Sequence, residues 1–243
     1  MMRYSSPLHK GWLVGLPLLL MLGLAIFEPD TLDLALARLM YQPETGFIGR
    51  HSHFLEDVLH DKAKQLVIII GFIALFLAIG AWLTKPLAKY RAGLSYLVLS
   101  LALSTSLVTP LKALTQVHCP WSLAEFGGSQ AYSSVFSARP ATDKPGRCWP
   151  GGHASAGFSL LALFFFWRDR RPRVAKAALL FSLTLGCVFS LGRMLQGAHF
   201  FSHNLWTLLI DWEISATLYL LLLYRPCPGT DNAAAKEGAL CQP

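Results

Sequence analysis

Charge is what this chain has least of. Asp, Glu, Lys and Arg make up 14% of its 243 residues, where a soluble domain carries about a quarter. That scarcity argues against an ordinary water-soluble domain, because the apolar residues, 53% of the total, are also gathered into runs. Clear internal repeats and long low-complexity tracts are missing, which leaves one domain over residues 1–226. The remaining 227–243, "CPGTDNAAAKEGALCQP", reads as a disordered cytoplasmic tail. The first apolar run has no convincing small-x-small cleavage site after it, so it is expected to remain as a helix. Cysteine is sparse, with five in all, and where they fall matters below.

What is present is a set of six apolar runs, at 11–27, 65–83, 93–111, 154–167, 175–195 and 204–224. Most approach the ~20 residues that cross ~30 Å of hydrocarbon at 1.5 Å per residue. The run at 154–167 is short, and its first turn is expected to begin earlier, in "GGH". With the N-terminus inside, Arg3, Lys10, Lys85, Lys89, Arg91 and the cluster "WRDRRPRVAK" share the cytoplasmic side. Most acids, among them Glu28, Asp30, Asp33, Glu56 and Glu125, fall on the other side. This is the positive-inside pattern, so the net charge of +7 reports topology and gives no ground for a nucleic-acid partner. The expected architecture is all-α: six transmembrane helices with two long outer loops, in a bacterial inner membrane, both termini cytoplasmic.

The outer loop at 28–64 carries two segments with helical apolar spacing, "DTLDLALARLMY" and "HSHFLEDVLHDKAKQ", expected as short helices on the membrane surface. The second, at 112–152, is rich in Gly, Pro, Ser and aromatics, and a connection that long is more often functional than idle. It contains Cys119 and Cys148, which in an oxidising compartment are expected to form a disulfide. Cys187, Cys227 and Cys241 are expected to stay reduced.

Polar residues that membranes normally reject gather on the outer face. Lys112 ends the third run, Gly151, Gly152 and His153 open the fourth, Arg193 nears the end of the fifth, and His199 follows in "LQGAHFFSHN", where His203 and Asn204 open the sixth. Lys and Arg offer fixed positive charge, Arg as a planar fork. A glycine-led helix start offers backbone N–H groups to an anion. Together they describe a phosphate-sized pocket with two imidazoles for nucleophilic and acid–base work. Asp211, an intramembrane carboxylate, lies about 10 Å further along the helix than Asn204 and reads as a structural partner for another helix.

These residues resemble the type 2 phosphatidic acid phosphatase family, whose fold is shared with vanadium haloperoxidases. Its motifs are Lys-x6-Arg-Pro, Pro-Ser-Gly-His and Ser-Arg-x5-His-x3-Asp. Here they stand as "KALTQVHCP" from Lys112 to Pro120, "PGGH" from Pro150 to His153, and "GRMLQGAHFFSH" with Arg193 and His199 at the family separation. The resemblance implies that His199 attacks phosphorus and His153 protonates the leaving oxygen, while Lys112, Arg193 and the amides near Gly151 and Gly152 neutralise the phosphoryl oxygens, with no metal or cofactor. Three departures matter. Cys119 replaces the motif-one Arg, whose charge Arg139 or Arg147 would supply. Gly151 replaces the Ser, and His203 replaces the Asp that would orient His199; His203, or the amide oxygen of Asn204, would accept a hydrogen bond from the nucleophile in its stead.

The reading is therefore a membrane phosphatase acting on a lipid phosphate or pyrophosphate at the periplasmic face. Its partners are the bilayer and its lipids, with no obligatory protein. Transfer of phosphate to another lipid remains open. So do a zinc hydrolase built on His153, His199 and His203, and a non-catalytic lipid-phosphate binder on an eroded scaffold.

Overall fold

The computed structural model describes residues 11–55, 63–137 and 145–226. A π-helical turn, Gly11–Gly15, leads into α1 (Leu16–Ile26), and α2 (Asp30–Leu39) follows after a bend of 83°. The long helices are α3 (Ala63–Leu83), α4 (Arg91–Thr115), α7 (Pro172–Leu195) and α8 (Phe201–Leu222). Between α4 and α7 lie two short helices, α5 (Gly152–Phe158) and α6 (Leu161–Arg168).

Helix α3 shows why such a sequence needs a bilayer. Val67, Ala74, Ala78 and Ala81 are buried, mostly small residues that let α4 approach, while Ile69, Phe72, Ile73, Phe76 and Trp82 are more than half exposed. In water that outer face would be a large unsatisfied apolar patch; against acyl chains it is matched. α5 and α7 meet more closely still: a Cβ on Gly157 would sit 2.6 Å from the Gly186 backbone. Only glycine permits that approach.

Of the expected six crossings, length and apolarity support four or five. Among the described residues four helices are long and apolar enough to cross a membrane, or up to five if the bent pair Gly11–Ile26 + Asp30–Leu39 is one span. The fourth apolar run does begin early, at Gly152, but it breaks after Phe158, and its halves of 7 and 8 residues are each too short by this measure. Bonds from Leu160 N to Gly157 O and from Ala162 N to Ser159 O carry the chain through the break as a tightened turn. Among the described residues the all-α expectation holds apart from one small hairpin, Tyr41–Gln42 paired with Gly46–Phe47, and a single bridge between Leu123 and Gln130. Of the two helices expected at 28–64, the first is α2; residues 56–62 of the second lie outside the described residues. The tail at 227–243 lies outside them too.

One end of the bundle is basic. There Arg168 donates to the Tyr219 hydroxyl, which donates to Asp169, while Arg170 and Arg171 lie over Phe166 and Trp167. At the other end the loops form a cap. Phe47, Leu123, Phe126 and Phe200 make a small core there, bordered by Tyr41 and Tyr132. Three carboxylates tie the cap down. Glu28 accepts from the amides of Val135 and Phe136, Asp30 from the hydroxyls of Tyr132 and Ser134, and buried Asp33 from both the amide and the hydroxyl of Ser202.

Candidate active site

The capped end holds the polar residues singled out above. Chain direction puts them there: α4 and α7 finish at this end with Lys112 and Arg193, while α5 and α8 begin at it with Gly152 and His203. His199 occupies the short turn between α7 and α8 and is 4% exposed. Its pKa lies well below the usual imidazole value, first because burial disfavours the cation, then through the charges of Lys112, His203, Arg193 and His153. Burial and residues drawn from four elements thus act on one imidazole, and together they disfavour its cation. The charges of Arg193 and Arg147 also bear on the Lys112 amine. Arg147 is exposed on the loop; Arg139 lies outside the described residues.

Local geometry refines the roles. Arg193 donates to Gln196 Oε1 at 2.8 Å and stacks its guanidinium over Trp121 at 5.7 Å, which fixes its fork. At Gly152 a Cβ would lie 3.6 Å from Lys112 Nζ, so the missing side chain keeps space beside the amine. The Gly151 amide behaves differently from the expectation of a bare phosphate donor: it donates to Thr207 Oγ1 at 2.8 Å. Asn204 donates to Phe200 O, and its Oδ1 lies only 2.6 Å from where a Gly151 Cβ would be. The sequence does not single out Gln196, Trp121 and Thr207, because an amide, an indole and a hydroxyl near a helix end carry no spacing signal; it marks Asn204 as an acceptor for His199, and the structure sets that amide oxygen against Gly151. Asp33 was noted there only for its charge.

Cys119 and Cys148 form the expected disulfide, 29 residues apart. It closes the loop against His199: Cys148 Sγ lies 3.5 Å from His199 Nδ1. Free Cys187 is exposed on α7; Cys227 and Cys241 lie outside the described residues. The zinc set considered from sequence changes too. Among the described residues, the potential metal ligands that converge are Cys148, His199 and His203, without His153. Asp211 accepts from Ser155 Oγ of α5 at 3.3 Å, so it does serve as a partner for another helix.

From this end a cleft of about 570 Å³ runs between α3, α4 and α5. Its walls are chiefly apolar, including Ile68, Phe72, Leu75 and Leu101, and Lys112, Gly152 and His153 line it as well.

The sequence model of the PAP2 superfamily matches residues 93–227, more than half of the chain and all three motif segments. The chain belongs to the PAP2 superfamily. Members of this superfamily are generally phosphoesterases, which makes phosphatase-type chemistry the assignment at family level. No curated protein and no solved structure matches the chain. The divergent motif positions of this PAP2 protein must therefore be understood from its own geometry.

Proposed function

We propose that this PAP2 protein is a membrane phosphatase that removes phosphate from a lipid phosphate or pyrophosphate through a phosphohistidine. The observation that carries the proposal is the cleft that holds Lys112, Gly152 and His153 between apolar helix walls. A cationic and imidazole-bearing end suits a phosphorylated headgroup, and the apolar remainder suits an acyl or prenyl chain.

The steps follow from the arrangement. His199 turns Nδ1 toward Cys148, which leaves Nε2 to attack phosphorus, and buried neutrality keeps its lone pair available. The bond from phosphorus to the leaving oxygen breaks as the Nε2–P bond forms, and His153 gives that oxygen a proton. Water then attacks the phosphohistidine, returning its proton to His153, and inorganic phosphate departs. Lys112 and Arg193 neutralise the phosphoryl oxygens throughout, as preorganised charges in a poorly solvated pocket. His203 stands where the motif-three carboxylate would be and orients His199. Orientation in the bilayer follows from the basic end, which belongs in the cytoplasm. The disulfide end then faces the periplasm, an oxidising compartment.

The test is phosphate release from a panel of lipid phosphates and pyrophosphates by purified protein, beside His199→Ala and His153→Ala. Release that survives a strong chelator, is blocked by orthovanadate and is lost in both variants is the expected result. Binding of the lipids with no release would make the protein a non-catalytic binder. Appearance of the phosphate on a second lipid would make it a transferase.

A further inference from the structure

We propose that opening the Cys119–Cys148 disulfide creates a buried binding site for a soft divalent cation such as Zn²⁺, made by Cys148, His199 and His203, and that occupation of this site silences the nucleophile. The silencing rests on the phosphatase reading above; the binding rests on geometry alone.

One ligand atom from each of these residues lies within 4.8 Å of the other two, and all three residues are buried. Tetrahedral Zn²⁺ holds sulfur at about 2.3 Å and nitrogen at about 2.0–2.1 Å, which spaces an S,N ligand pair by roughly 3.6 Å. The observed separation of Cys148 Sγ from His199 Nδ1 is 3.5 Å. The trio therefore closes on a metal with small side-chain movements. A fourth position remains for water or for the Ala198 carbonyl oxygen, which lies 2.7 Å from the same sulfur.

In the oxidised protein the site is withheld, because a bridged sulfur carries no thiolate and binds metal poorly. Reduction by a phosphine balances as follows. The phosphine takes the oxygen of one water and becomes a phosphine oxide, its two electrons break the S–S bond, and the two protons of that water end on Cys119 and Cys148. The metal then displaces the Cys148 proton. With metal on Nδ1, the neutral His199 ring keeps its proton on Nε2, the atom that must attack phosphorus. A lone pair cannot be in both places, so the metal-bound ring is inert as a nucleophile. The disulfide would thus license activity: it is needed not as a reactant but to keep Cys148 from recruiting metal onto the catalytic imidazole.

The experiment uses the full chain in detergent with Cys187, Cys227 and Cys241 changed to Ser, loaded with Co²⁺ or Zn²⁺ and desalted. The phosphine-reduced protein is expected to retain one metal per chain, with a sulfur-to-cobalt charge-transfer band, and the oxidised protein none. Cys119→Ser should retain metal without any reductant. Reduced Cys148→Ser and reduced His203→Ala should lose it. Equal retention by the oxidised protein, an unchanged band in reduced Cys148→Ser, or no retention by the reduced protein would overturn the proposal. Because the phosphine-reduced protein and Cys119→Ser both present the free Cys148 sulfur, misfolding of one still leaves the other to decide. Phosphate release by the oxidised protein is measured separately and needs no metal. Failure of the phosphatase reading appears there, while failure of the metal site appears in the cobalt spectrum. Where release is present, it should be lost on reduction with Zn²⁺ and return with a chelator.

Discussion

Restoring the family serine at position 151 should damage this protein, and the reason is one oxygen atom. Gly151 has φ −73° and ψ 102°, a conformation open to any residue, so the backbone does not demand glycine. Space does: an added Cβ would lie 2.6 Å from Asn204 Oδ1 and 3.3 Å from Thr207 Oγ1. Ordinary contact begins at 3.4 Å, so the amide must retreat by about 0.8 Å inside a packed helix junction. Overpacking of this kind costs about 1–3 kcal/mol. Turning the amide away also loses its bond to Phe200 O, worth about 1 kcal/mol. Gly151→Ser should therefore destabilise by about 2–4 kcal/mol and displace His153, two residues along. Asn204→Ala alone should cost about 1–2 kcal/mol through the lost bond and packing. Combined with Gly151→Ser it should relieve the clash, leaving the pair about 2 kcal/mol more stable than the two single costs predict. Unfolding of all four proteins in one detergent measures this coupling. A Gly151→Ser protein as stable as wild type, or strictly additive effects, would refute the packing argument.

Further outcomes follow from the same geometry. Lys112→Met should lower kcat/KM by about 2.5 kcal/mol, roughly 70-fold, through loss of a charge-assisted contact. Because a positive neighbour helps depress the His199 pKa, that variant should also move the acid limb of kcat/KM toward higher pH; a limb that stays put would mean His199 does not set it. Removing the disulfide by Cys119→Ser should cost about 3.5 kcal/mol on the chain-entropy model for a 29-residue separation, read as a lower unfolding midpoint in chelator. Asp211→Asn keeps an acceptor for Ser155 and should leave phosphate release within about threefold of wild type, while His203→Ala lowers it by about tenfold or more; a collapse of activity in Asp211→Asn would give that carboxylate a catalytic part. Gly71→Trp should obstruct the cleft and raise KM for long-chain lipid phosphates while sparing short-chain ones, a split visible in steady-state kinetics.

The sequence alone determined that α3, α4, α7 and α8 would be apolar helices, because twenty-odd residues with so little charge have no other stable solution in lipid. It also placed Lys112, His153, Arg193, His199 and His203 at one end of the bundle, since alternating helix direction follows from counting spans. The pairing of Cys119 with Cys148 was legible for a similar reason: both fall in the same outer loop. What only the tertiary structure decided are contacts between residues far apart in the chain. These include the break after Phe158, the carboxylates of α2 that pin the cap, the Trp121 face beneath Arg193, Asn204 filling the place of a serine side chain, and the sulfur of Cys148 set against His199. Spacing along a helix fixes which end a residue reaches. Which atom it meets there depends on how several helices and a loop pack together, and no local pattern records that.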